Sequence, residues 1–157
     1  MAPCVFTFGY QQRSIGEYIR ELRSAGVGVL LDVRELAWSR KPGFSKSSLQ
    51  KGLAEAGISY VHAKFAGNPK AIRRAASTHR DCLERYSDHL DRNEDVLEEF
   101  DRLVMQYVEV GIAVCLLCYE RHPEDCHRSI LLRAWMEAHA RSPKIRHIGQ
   151  EGTPRLI

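Results

Sequence analysis

Residues 112–138 read IAVCLLCYERHPEDCHRSILLRAWMEA, and this stretch decides how the chain folds. Its first seven residues are all apolar, too few to span a membrane and rich in strand formers, so they predict a buried β-strand. A charged segment follows, and from Ile130 onward apolar residues return at helical spacing. A buried strand, a polar loop and a helix form the unit with which α/β proteins build sites at the carboxyl ends of strands.

The loop after this strand carries more chemistry than a connector needs. Between Cys118 and Arg128 the chain has three carboxylates, two thiols, two imidazoles and two guanidiniums. We therefore predict that this loop forms the functional site, and that the rest of the chain supplies a scaffold and a second wall.

The other segments repeat the alternation of strand and helix. Further strands are predicted at 5–9, 27–32, 58–62 and 145–148, and residues 150–157 are predicted to be a loose tail. Helix signals separate the strands, such as the capping box of Ser14 and Glu17. This order predicts an α/β fold with one open, mainly parallel sheet and helices on both faces, a Rossmann-like three-layer arrangement.

Composition indicates one soluble domain. With 157 residues, 44% hydrophobic and 27% charged, the chain is long enough to bury a core. We expect a single domain over 1–157, with 68–92 as a helical insert on it. A net charge of +3 suits an anionic ligand but falls short of a protein that coats DNA.

The cysteines and the N-terminus indicate a cytoplasmic protein. The chain has five cysteines, an odd number, and its first residues show no basic region leading into an apolar core. No window reaches the length of a membrane helix. We expect reduced thiols, a cytoplasmic location and no membrane partner.

Several polar residues are predicted to meet at the edge where parallel strands end. Guanidiniums bind phosphate or carboxylate through paired hydrogen bonds, and a helix N-terminus adds positive potential. The alternative is that these arginines pair with nearby carboxylates and only fix the loop. The candidate ligand-binding residues are Arg34, Arg40, Arg121, Arg128, Tyr10, Ser39, Trp38 and His62. Trp38 could stack on a flat ligand, but covering loop backbone is the favoured interpretation.

Four residues are candidates for catalysis. Glu120 directly follows the buried strand, where partial burial would raise its pKa and suit it as acid, base or nucleophile; the alternative is a structural salt bridge. Asp32 has the same two interpretations. Cys126 at a helix start would be nucleophilic, with His127 beside it as a weak base.

Metal and cofactor binding are not expected. Cys115 and Cys118 form a C-x-x-C within a predicted strand, so their side chains should point to opposite faces. A set of Cys118, Cys126 and a histidine is the alternative that stays open. The chain has no Gly-x-Gly-x-x-Gly and no P-loop, so no cofactor is predicted.

The chain resembles the family filed as domain of unknown function 488. The resemblance rests on Phe8-Gly9-Tyr10, Arg13-Ser14, Leu31-Asp32-Val33-Arg34, Ser39-Arg40, Gly43-Phe44, Gly57-Ile58-x-Tyr60-x-His62, Leu117-Cys118-x-Glu120 and Cys126-His127-Arg128. It implies a small cytoplasmic α/β protein and no particular activity. The family often carries Leu-Gly-Gly after the third strand, where this chain has Ala66-Gly67-Asn68-Pro69, so that turn is expected to differ.

We predict an enzyme, a hydrolase or group transferase, that acts on a nucleotide or another phosphate-bearing molecule. Arginines would hold the anion and Glu120 would supply the chemistry. The alternative is a non-catalytic module that binds nucleic acid or a nucleotide, and a third hypothesis is a thiol enzyme using Cys126. The basic residues between 70 and 85 could meet nucleic acid, but a solvated helix face is the favoured interpretation. The sequence does not decide the oligomeric state.

Overall fold

One parallel sheet organises the fold. The computed structural model describes residues 4–150, so the predicted tail lies outside the described residues except for Gln150. Five strands pair in the order β3-β2-β4-β1-β5, and every pairing is parallel. The strands are β1 (Cys4–Gly9), β2 (Val29–Asp32), β3 (Ser59–His62), β4 (Val114–Cys118) and β5 (Lys144–His147). The predicted α/β fold is confirmed.

Six helices connect the strands. They are α1 (Ile15–Ser24), α2 (Lys46–Glu55), α3 (Lys70–Ala75), α4 (His79–Arg92), α5 (Glu94–Val108) and α6 (His127–His139). The Ser14 hydroxyl accepts the Glu17 N–H at 3.2 Å, as the capping box predicts. The helical stretch 70–92 divides in two because the chain is extended at Ala76 and Thr78. Within 4–150, no helix combines the length and the apolar character needed to cross a membrane.

The sheet is covered on both faces, because alternate strand residues point to opposite sides. Phe8, Leu30 and Cys115 face α1 and α2, whereas Val5, Leu31 and Cys118 face α4, α5 and α6. The prediction that Cys115 and Cys118 lie on opposite faces is confirmed. Cys115 is a core residue with 0% of its surface exposed, and this burial raises the pKa of its thiol.

A topological switch point lies between the neighbouring strands β1 and β4. The chain leaves β1 toward α1 on one face of the sheet and leaves β4 toward α6 on the other. In open α/β sheets, ligands bind at such a point, outside the carboxyl ends of the strands. We call the region outside the ends of β1 and β4 the crevice. The fold therefore places the polar loop after β4 at the position best suited to a site.

Candidate functional site

The ends of β1 and β4 stay paired beyond the strands. Tyr10 donates its N–H to the Cys118 carbonyl at 3.1 Å, and Gln11 donates its N–H to the Tyr119 carbonyl at 2.9 Å. Gly9 lets the two segments approach, because a Cβ atom there would lie 1.8 Å from the Glu120 carbonyl oxygen. The close pairing holds the backbone of Glu120 in place at the crevice.

Glu120 presents a half-buried carboxylate at this crevice. Its Oε2 lies 3.5 Å from the Cys118 sulfur. Among residues 4–150 it forms no ion pair, so the predicted alternative of a structural salt bridge does not describe its contacts. A carboxylate that no cation neutralises is available for proton transfer or for a ligand.

Cys126 and Cys118 meet beside Glu120. Their sulfurs are joined as a disulfide across a separation of eight residues, which differs from the expectation that all thiols are reduced. The sequence alone does not predict that Cys118 and Cys126 pair. Their approach depends on the path of the loop that connects β4 to α6. Cys126 begins α6 as its N-cap and its sulfur accepts the Arg128 N–H at 3.4 Å. A role for Cys126 as a nucleophile stays a prediction.

His127 is oriented by the neighbouring strand. Its Nε2 lies 2.9 Å from the Val33 carbonyl oxygen, and its Nδ1 lies 3.8 Å from the Cys126 sulfur. A carbonyl only accepts hydrogen bonds, so Nε2 carries the proton and Nδ1 presents its lone pair to the sulfur. Desolvation lowers the pKa of the His127 imidazole, which favours this neutral form.

Asp32 and Arg34 form a closed pair at the end of β2. The Asp32 carboxylate accepts Nε and Nη2 of Arg34 at 2.8 and 2.6 Å and the Tyr60 hydroxyl at 2.6 Å. Desolvation opposes the charge of Arg34, but the hydrogen bonds to Asp32 outweigh it and raise its pKa. Desolvation and Asp32 also raise the pKa of Tyr60. These contacts match the structural interpretation of Asp32; its catalytic role and the anion-binding role of Arg34 stay predictions.

Arg128 is buried completely, with 0% of its surface exposed. Its Nη1 donates to the Glu120 carbonyl at 2.6 Å and to the Cys118 sulfur at 3.1 Å. Desolvation lowers its pKa, yet a guanidinium keeps its charge in proteins. Arg128 forms no ion pair with any carboxylate of the described chain, and its Nε has no hydrogen-bond partner there.

The remaining candidates lie in the loops after β2 and β4 and at the end of β3. Arg40 is exposed, whereas Arg121 is half-buried and donates to the Gln12 side chain at 2.8 Å. Ser39 accepts the Lys41 N–H at 3.1 Å, and the His62 ring lies 2.7 Å from the Arg34 carbonyl oxygen. These contacts shape the loop and leave Arg40 and part of Arg121 free to meet a ligand.

Aromatic residues at this edge divide into buried and exposed ones. Tyr10 is buried and stacks on Phe44 with ring centroids 4.5 Å apart, so its ring is not free to stack on a ligand. Trp38 and Tyr119 are 57% and 49% exposed. Both rings therefore have surface free to meet a ligand, and the favoured interpretation that Trp38 covers loop backbone stays a prediction.

Two residues that contact the site, Tyr60 and Lys41, are not among the predicted catalytic or ligand-binding residues. Tyr60 donates to Asp32, and Lys41 donates from Nζ to the Tyr10 carbonyl at 3.1 Å. A tyrosine in a strand is ordinarily a packing residue, so only the register of β2 and β3 identifies its partner. Lys41 could have been found from its position in the polar loop after β2.

The basic residues between 70 and 85 form ion pairs on α3 and α4. Arg73 pairs with Glu35, and within α4 Arg80 pairs with Glu84 and Arg85 with Asp81. These residues are exposed or half-buried. Their charges are partly neutralised, as the interpretation of a solvated helix face requires.

Comparisons with known proteins bear on the family alone. A family model described as Domain of unknown function DUF488 matches residues 14–135. That range contains the polar loop after β4, the Asp32 and Arg34 pair and most of α6. No curated protein and no solved structure matches the chain.

Proposed function

This chain belongs to the family described as Domain of unknown function DUF488, and from that premise we propose that it is an enzyme acting on a nucleotide or another phosphate-bearing molecule at the crevice between β1 and β4. The reaction is a hydrolysis or a group transfer. The name of the family specifies no reaction, so the support for this activity comes from the residues of the site. Composition is the support for placing this activity in the cytoplasm.

The main support for the proposal is that the Glu120 carboxylate is half-buried and has no ion-pair partner among the described residues. Two carboxylates lie at the ends of the central strands, and they are held differently. Asp32 is buried and accepts hydrogen bonds from Arg34 and Tyr60. Glu120 is half-buried and forms no ion pair with the described residues. Glu120 is therefore the acid that can exchange a proton with a substrate.

The cations that remain open indicate how an anion would be held. The guanidiniums of Arg34 and Arg128 are already engaged within the protein, whereas Arg40 and part of Arg121 face solvent. Guanidinium binds phosphate oxygens in pairs and neutralises the charge that develops on a transferred phosphoryl group. Glu120 then accepts the proton of the attacking water or hydroxyl group, or attacks as a nucleophile.

The test is Glu120→Gln, assayed by phosphate release and product formation on a panel of nucleotides and sugar phosphates. The substitution keeps the shape of the side chain and removes the base, so turnover should fall by about 10²–10⁴-fold. The melting temperature should barely change, because no ion pair is lost. Glu124→Gln, at an exposed glutamate of the same loop, is the matched control and should keep full activity. Full activity of Glu120→Gln, or a large loss of its stability, would contradict the proposal.

A second candidate function is a non-catalytic module that binds single-stranded nucleic acid or a nucleotide. The exposed fractions of Trp38 and Tyr119, 57% and 49%, favour it because both rings lie in loops at the carboxyl edge. Basic side chains, Arg40 and Arg121, stand in the same loops. Base stacking on such rings is sequence-tolerant and strong enough to support binding.

Trp38→Ala tests this second function. Binding of a single-stranded oligonucleotide should weaken by about 1–3 kcal/mol, the usual contribution of one stacked base, and should fall steeply with salt. Fluorescence anisotropy of a labelled oligonucleotide measures both effects. Val110→Ala removes an exposed apolar side chain near the start of β4, at the opposite edge, and serves as the control. Equal affinity of the two variants would argue against a stacking surface at Trp38.

A further inference from the structure

Four potential metal ligands converge beside the crevice. The sulfurs of Cys118 and Cys126, the Glu120 carboxylate and a His127 ring nitrogen all lie within 4.8 Å of one another. Cys118 ends β4, whereas Cys126 and His127 begin α6. Thiolate, imidazole and carboxylate are the ligand types that zinc takes in proteins, and two thiolates favour zinc over magnesium or calcium.

The distances between these groups suit a tetrahedral ion. Zinc bonds of about 2.0–2.3 Å place neighbouring ligand atoms about 3.3–3.8 Å apart. The Cys118 sulfur lies 3.5 Å from Glu120 Oε2, and the Cys126 sulfur lies 3.8 Å from His127 Nδ1. The Cα atoms of the two cysteines are 7.5 Å apart, wider than disulfides usually hold them. The backbone therefore leaves room for an ion between the two sulfurs once they are reduced.

His127 is held as metal-binding histidines are. Its Nε2–H donates to the Val33 carbonyl at 2.9 Å, which leaves the Nδ1 lone pair directed at Cys126. Histidine ligands ordinarily donate their second ring nitrogen to a carboxylate or a carbonyl, which fixes the tautomer and the ring orientation. The hydrogen bond between His127 and Val33 does not depend on the cysteines, because its acceptor is the backbone carbonyl of the residue after β2.

Arg128 places a buried positive charge next to the cluster. It is 0% exposed, and its Nη1 lies 3.1 Å from the Cys118 sulfur. A buried cation is costly unless an anion compensates it, and no carboxylate in residues 4–150 pairs with it. A zinc ion with two thiolates, one carboxylate and a neutral imidazole carries one net negative charge, which Arg128 balances.

We propose that the reduced chain binds one zinc ion through Cys118, Cys126, His127 and Glu120. The sequence disfavoured a metal because C-x-x-C at 115–118 cannot share an ion, but the set uses Cys126 instead of Cys115. On binding, the two thiols lose their protons to water and their sulfurs bond to zinc. The Glu120 carboxylate can give up its position to water, and it then becomes the base that the proposed function requires. The proposal that the chain binds zinc does not depend on the proposed function.

The test measures metal alone, without substrate. The disulfide is first reduced by a phosphine, which takes up oxygen from water as the two thiols form. The reduced chain should bind one Co²⁺ or Zn²⁺, detected by thiolate-to-cobalt charge-transfer absorption and by elemental analysis. Cys118→Ser and Cys126→Ser should abolish the absorption, and His127→Ala should weaken affinity by more than about 100-fold, beyond the loss typical of an outer partner. Oxidised chain should bind no metal.

Cys82→Ser is the matched control, since Cys82 is a half-buried thiol of α4 outside the cluster. It should bind metal as the wild type does. If circular dichroism shows that a serine variant does not fold, the metal affinity of His127→Ala is compared with that of the wild type instead. The proposal is overturned if the reduced wild type leaves all metal with a weak chelator, if Cys126→Ser binds normally, or if Cys82→Ser loses as much affinity. None of these results decides the outcome of the Glu120→Gln activity assay, so the two proposals can fail separately.

Discussion

Asp32→Ala will lower the free energy of unfolding by about 3–5 kcal/mol, the cost of leaving one partner of a buried ion pair uncompensated. Asp32 is 0% exposed and accepts two side-chain hydrogen bonds from Arg34 and one from Tyr60. Its removal strands a guanidinium that is only 7% exposed and a phenolic hydroxyl. Urea denaturation followed by circular dichroism measures the loss.

Two further variants separate the ion pair from other effects of Asp32→Ala. Asp88→Ala, at an exposed position of α4, should change stability by less than about 0.5 kcal/mol. Combining Asp32→Ala with Arg34→Met should recover part of the loss, because the stranded charge is then gone. A single-variant loss below about 1 kcal/mol would show that Asp32 is not the structural partner of Arg34.

Gly9→Ala will destabilise the fold and disrupt the site together. A Cβ atom at Gly9 would lie 1.8 Å from the Glu120 carbonyl oxygen and 2.6 Å from its carbonyl carbon. Both atoms are backbone, so no side-chain rotation relieves the clash and the ends of β1 and β4 must separate. We expect a loss of at least about 1–3 kcal/mol in unfolding free energy, the cost of overpacking. Activity and metal binding should also fall in the folded fraction, because Glu120 moves.

Gly16→Ala is the matched control for Gly9→Ala. Gly16 is exposed in α1, and the nearest atom to an added Cβ is the Arg20 Nη1 at 3.6 Å, an ordinary contact. Alanine should stabilise this helix by about 0.5–1 kcal/mol. Opposite signs for the two glycines would confirm that space at the end of β1 is limiting. Equal stability of the two variants would refute that conclusion.

For the two carboxylates at the ends of β2 and β4, local sequence patterns predict the position but not the partners. Both Asp32 and Glu120 were predicted as catalytic or structural, and pattern alone could not separate them. The structure separates their contacts: Asp32 has Arg34 and Tyr60, whereas Glu120 has no ion-pair partner among residues 4–150. The partners of a side chain depend on segments distant in sequence, which periodicity does not encode.

The contacts of Arg128 and Cys126 also depend on segments distant in sequence. The sequence predicts that Arg128 holds an anion or pairs with a carboxylate; in the structure it donates to the Glu120 carbonyl and the Cys118 sulfur, and its anion-binding role stays a prediction. Cys126 was considered as a nucleophile, and its sulfur is joined to that of Cys118. Both outcomes arise because α6 packs its first turn against the end of β4.

The strands, the helices and the parallel sheet could be predicted from the residues alone, because apolar periodicity, caps such as Ser14 and stop signals such as Gly26 are local. The sequence also predicts that Glu120, Asp32 and His62 share one edge, since parallel strands end on the same side. Which of these groups pair with a partner and which do not is visible only in the folded chain. That outcome depends on ångström-scale approach between segments far apart in the chain, such as Gly9 against Glu120 and His127 against Val33.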